Sequence, residues 1–183
     1  KSYGDNGEAQ GRSVLHDLAR HRKTAEFISY KLVQHLIADQ PPKQLVSAMV
    51  DTWVKTEGNI KAVVTTMIKH PQSWDRQSNK FKTPREFVVS AYRAVNHPEA
   101  VDQGLLNILM RGLNFMGHKP FASGSPAGYS QLNIAWSGSD ALMKRIDWVS
   151  LLSQKTNETP KSVAARIFDS QLSPLTVKLL AGA

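Results

Sequence analysis

The sequence predicts an all-α protein: a single irregular helical bundle of about seven to eight helices, tied across one face by one long Gly/Pro/aromatic loop. Three observations predict it. First, three helix starts are written alike, Thr83-Pro84, Thr159-Pro160 and Ser173-Pro174. The hydroxyl accepts an orphan backbone N–H, and proline at the first helical position gives up an N–H that had no partner. Second, apolar residues recur at helical spacing through most of the chain. Third, convincing alternating strand patterns are almost absent.

The elements follow in order. Residues 1–12 read as a flexible lead-in, and 13–183 as one helical domain. A short helix over 13–20 places Val14, Leu15 and Leu18 on one side. Over 24–38, Ala25, Ile28, Leu32 and Leu36 repeat along one face, and Pro41-Pro42 ends that helix. Pro42 opens the next, whose wide stripe of Leu45, Val46, Met49, Val50, Trp53 and Val54 predicts more than one neighbour. Gly58 breaks the chain and Asn59 caps a helix carrying Ile60, Val63, Val64, Met67 and Ile68, stopped by His70-Pro71. The polar, basic segment 74–82 reads as a loop.

Thr83-Pro84-Arg85-Glu86 then combines a cap, a first-position proline and a glutamate able to reach back, a capping box. The helix it opens shows Phe87, Val88, Ala91, Tyr92 and Val95, and His97-Pro98 interrupts it. Leu105, Leu109, Leu113 and Met116 align on a helix over 101–116. The stretch 117–138 is rich in Gly, Pro and Ser, with Phe121, Tyr129 and Trp136 among them, and a loop of that length in a compact domain calls for explanation. Ser139 or Asp140 caps a helix bearing Leu142, Ile146, Val149 and Leu152, and two short proline-led helices close the chain.

Composition excludes several function classes. The chain has 183 residues and no cysteine, so disulfide frameworks, thiolate catalysis and zinc–thiolate sites are out. No apolar run reaches the roughly 20 residues of a membrane span. The polar N-terminus has no initiator Met and is not a signal peptide, which leads us to expect a processed chain or a fragment. The net charge of +8 favours acidic partners, although the basic residues are spread along the chain and not clustered.

Three blocks carry a resemblance. His21-Arg22-Lys23-Thr24-Ala25-Glu26-Phe27-Ile28 with Lys31-Leu32 and Pro41-Pro42 is the first. Lys82-Thr83-Pro84-Arg85-Glu86-Phe87 is the second. Ser125-Pro126-Ala127-Gly128-Tyr129, followed by Trp136 and Arg145, is the third. In this order they resemble the signatures of a large bacterial family catalogued as domain of unknown function 1800. Arg22 and Glu26 depart from that pattern, where proline and a basic residue are usual. The resemblance implies the C-terminal part of a longer, exported protein, whose first partner is its own missing N-terminal part. It also hints at a polysaccharide or envelope component as a partner. It supplies no catalytic residues and no cofactor.

Chemistry-bearing constellations are sparse. His16, His21 and His35 with Asp39 fall short of the three or four ligands and second shell that a metal needs, so His21 reads as a helix start and His35 as partly buried. Asp140 and Asp147 face one way but lie roughly 10 Å apart along the axis, beyond a working acid pair. Gly124 to Gly128 lacks the donors and the Lys-Ser/Thr of a phosphate loop, and Ser137 lacks a nucleophile elbow. Arg76, Lys80, Lys82 and Arg85 around Trp74 and Phe81 could contact nucleic acid, but no reader motif accompanies them, and they read as a solvated loop.

The loop 117–138 is the best site candidate. His118, Phe121, Tyr129 and Trp136, with Arg145 beyond, could form an aromatic platform for a sugar ring or a partner's side chain. The favoured reading, however, is a strap whose aromatics anchor it to the bundle, since apolar anchors are what hold a long loop down. Two functions therefore stand at this stage. One is a helical module with a non-catalytic structural or interaction role in a larger exported protein. The other is part of an enzyme acting on extracellular or envelope polymers, with this loop lining its cleft. Convergence of those side chains on an open pocket would favour the second.

Overall fold

The computed structural model describes residues 2–4, 7–75, 80–95, 103–155, 158–168 and 172–181. Among them are nine α-helices and no strand, a slightly larger helix count than expected. The chain divides into two compact units, Lys1–Lys80 and Phe81–Ala183, each with its own core. The His97-Pro98 break lies outside the described residues.

The first unit holds α1 (Glu8–Arg20), α2 (Arg22–Leu36), α3 (Lys43–Lys55), α4 (Ile60–Lys69) and a 3-10 turn at Pro71–Trp74. The first helix starts at Glu8, earlier than the expected residue 13, and Tyr3 is fastened to it by an O–H donated to Asp17 at 2.9 Å. α1 buries no side chain. The core belongs to α2, α3 and α4, where Val33, Leu45, Met49 and Val63 are wholly buried. Each such side chain contributes about 1.5–3 kcal/mol when removed from water.

Two of the expected stripes are narrower than the sequence implied. Ile60 and Ile68 of α4 face solvent, as does Leu36 of α2. Ser29, not expected in the core, is completely buried beside Ala25 and Val33. The helix ends behave as capping chemistry requires. His21 Nδ1 accepts the Lys23 N–H at 3.1 Å, and Asn59 Oδ1 accepts the Ala62 N–H at 3.1 Å. α3 closes in a Schellman arrangement, with Gly58 N–H donating to the Trp53 carbonyl at 2.9 Å. Glu57 occupies its left-handed position at φ 52° and pairs with Arg20 at 3.0 Å.

The second unit holds α5 (Pro84–Ala94), α6 (Gln103–Phe115), a loop with a 3-10 turn at Asn133–Ala135, α7 (Ser139–Ser153), α8 (Pro160–Phe168) and α9 (Pro174–Ala181). All three hydroxyl–proline starts are helix starts. Thr83 and Glu86 form the full capping box, and the Thr159 and Ser173 hydroxyls each accept an N–H at 3.1 Å. α7 departs from expectation at its start. Gly138 precedes it and neither Ser139 nor Asp140 caps it.

The core of this unit gathers Val88, Leu113, Met116, Trp148 and Leu152. In it the Trp148 indole lies over Gly112, where a Cβ would come within 2.6 Å of the ring carbon Cδ1. The indole N–H donates to the Ile108 carbonyl at 3.1 Å, so α6 receives both the ring and its polar edge.

Candidate functional site

The loop 117–138 is shaped first by how α6 ends. Gly117 takes the left-handed conformation at φ 75°, and the His118 N–H returns to the Leu113 carbonyl at 2.8 Å. This Schellman closure fixes where His118 leaves the helix. The imidazole then stacks on Trp136, with centroids 5.2 Å apart and planes 9° from parallel. Tyr129 lies against the same imidazole at 4.2 Å and beside Trp136 at 6.3 Å.

The polar edges of Tyr129 and Trp136 are spent within the loop. The Tyr129 hydroxyl donates to the Lys119 carbonyl at 2.7 Å, and the Trp136 indole N–H donates to the Ser130 carbonyl at 2.8 Å. Asn133 Oδ1 accepts the Phe81 N–H at 2.9 Å. Trp136 is buried, and His118 and Tyr129 are half-buried. The three rings therefore present their faces to one another more than to solvent.

His118 is electrostatically unusual. Its Nδ1 is buried without a hydrogen-bond partner. Burial disfavours the imidazolium and holds its pKa below the ordinary value, with the Arg85 charge acting the same way and Glu86 opposing.

The other two candidates stand apart. Phe121 is fully exposed, with φ 56°, and makes no part of the ring cluster. Arg145 is 6% exposed and lies against two different aromatics, its guanidinium 4.4 Å from the Phe81 ring centre and 4.8 Å from that of Phe87. Its Nη2 donates to the Lys82 carbonyl at 2.6 Å. Burial weakens its hold on the proton, yet a guanidinium stays charged in a protein. The ring faces supply the electrostatic compensation that a carboxylate often gives. Arg145 thus clamps the segment before α5 onto α7. The five residues do not converge on one cavity: three form a closed cluster, one points outward and one is a clamp.

Lys80 is held by Asp39 at 2.6 Å, Lys82 Nζ donates to Ser90 at 2.8 Å, and Arg76 lies outside the described residues. Asp140 pairs with Lys144 at 2.6 Å. Among the described residues no three His, Asp or Glu side chains gather as metal ligands, and no helix is long and apolar enough to cross a membrane.

The structure adds a feature that the sequence did not disclose. An open groove of about 570 Å³ runs between α5, α7 and α8. Its floor includes Phe87, Ala91, Val95, Leu152, Val163 and Ile167, and the charged side chains that line it are Lys82, Arg93 and Arg166. Among the described residues no carboxylate lines it. Beside it, α7 carries a second apolar stripe. Leu142, Ile146 and Val149, expected in the core, are 42%, 58% and 38% exposed, while Arg145, Trp148 and Leu152 are the buried face. The signal available in the sequence was that α7 carries more apolar residues than one face can bury.

A family model described as protein of unknown function, DUF1800, matches residues 1–183, the whole chain. No curated protein and no solved structure matches it significantly.

Proposed function

The chain belongs to the DUF1800 family of proteins of unknown function, and on that premise we propose that it is a helical interaction module of a larger, exported bacterial protein, with a non-catalytic role. The observation that carries the reading is apolar surface at helical spacing left open to solvent. On α7 it is Leu142, Ile146 and Val149, and on α9 it is Leu175 and Leu179. Contiguous apolar surface of this kind marks interaction sites in soluble proteins. The loop 117–138 fits the role of an anchored strap, because its rings pack on each other and the Tyr129 and Trp136 polar edges bond loop carbonyls. In this reading the partner is another part of the same, longer polypeptide.

The test is limited proteolysis of the full-length protein in native buffer, cutting between this module and the remainder. The two pieces are expected to co-elute in gel filtration and to part only in denaturant. Separation in native buffer would overturn the proposal.

A further inference from the structure

The groove between α5, α7 and α8 has a chemistry that specifies its occupant. Its lining is mostly apolar and formed by three helices, and among the described residues every charged side chain along it is basic. Arg166 is already paired with Glu158 at 2.7 Å. Lys82 makes a hydrogen bond to Ser90 but no ion pair among the described residues, and Arg93 is exposed. Two cations therefore stand over an apolar trough with charge to offer. Val149 belongs both to the groove and to the exposed α7 stripe, which runs back through Ile146 to Leu142. Seven residues of helix extend that apolar track by roughly 10 Å. The combined surface is elongated, as a helix-sized ligand requires and a compact small molecule does not.

We propose that this groove and the adjoining α7 stripe dock an amphipathic helix whose apolar face is flanked by acidic side chains, supplied by the remainder of the same polypeptide. The apolar anchors of that helix, at i, i+3/i+4 and i+7, fill the trough and cover Leu142 and Ile146. Its carboxylates meet Lys82 and Arg93 at the rim, where complementary charge fixes orientation and selects against basic competitors. The inference rests on the module reading above and goes beyond it, because it names the surface and the chemistry of the segment that covers it.

A photo-crosslinking amino acid placed at Val149 of the full-length protein tests it, with Leu151 as a second position outside the groove lining. Mass spectrometry is expected to find the Val149 crosslink in a helical segment of the same polypeptide bearing carboxylates beside its apolar stripe. Arg93→Glu should lower the yield by roughly fivefold and Arg93→Lys should preserve it, since a rim charge acts through complementarity. A crosslink within the same chain to a segment without acidic residues overturns this inference while leaving the module proposal standing. Capture of a second copy, a lipid or an unrelated protein overturns it, as does a yield no higher at Val149 than at Leu151. Failure of the module itself reads out separately, as separation of the proteolysed pieces.

Discussion

At the scale of single residues, three positions decide more than their size suggests. Gly112 leaves room for Trp148, and a methyl there would collide with the indole. Alanine is the better helix former by about 1 kcal/mol. Overpacking against a ring held by its own hydrogen bond costs up to about 3 kcal/mol, so the clash wins. Gly112→Ala should lose about 1–2 kcal/mol in a urea titration, with Trp148 fluorescence shifted. Ser29 presents the opposite case. Its hydroxyl is buried with no partner. Because an unsatisfied buried group costs about 1–3 kcal/mol, Ser29→Ala should stabilise by about 1 kcal/mol, read as a higher urea midpoint at unchanged slope. His118 brings pH dependence. Burial lowers its folded pKa below the ordinary 6.5, so the unfolded chain binds the proton more tightly. Its contribution is complete above pH 6.5 and is lost as pH falls below that value. The fall in Tm between about pH 7.5 and 5.5 should accordingly be smaller in His118→Asn than in the parent protein.

At the scale of elements, what could be read from the sequence was what is local. The capping box at Thr83 needs only Thr83, Pro84 and Glu86, and the structure has both of its hydrogen bonds. Thr83→Ala should cost about 1 kcal/mol through this cap alone, checked by thermal unfolding against Thr83→Ser, which retains the hydroxyl. Asn59, Thr159 and Ser173 were legible for the same reason. The phase of α7 was not. Hydropathy assigns an arginine to solvent and Leu142, Ile146 and Val149 to the core. Here the assignment is inverted, because Phe81, Phe87 and the Lys82 carbonyl, all some sixty positions away, receive the Arg145 guanidinium. No window along the chain contains both halves of that clamp. The aromatic loop stood out as a group of rings, but the stacking of His118 on Trp136 depends on the Gly117 closure that aims His118, which no local pattern discloses.

At the scale of the whole molecule, the helices gather into two compact units. Apolar repeats announce that helices pack, and say nothing of which helices share a core. The same limit hid the groove, since its walls come from helices distant in sequence and its charge pattern exists only once they assemble. The apolar residues left outside both cores have a measurable consequence. If Leu142, Ile146 and Val149 are open in the native state, the 183-residue chain by itself should bind an environment-sensitive apolar dye in native buffer. Substituting all three by serine should remove much of that signal while shifting stability little, because exposed positions usually change it by no more than about 0.5 kcal/mol each. The proposed docking adds a further outcome: within a longer polypeptide that supplies the helix, the parent sequence should bind far less dye than the isolated chain. A dye signal unaffected by the triple substitution would mean that these side chains are core after all, and the stability loss in the same variant would show it.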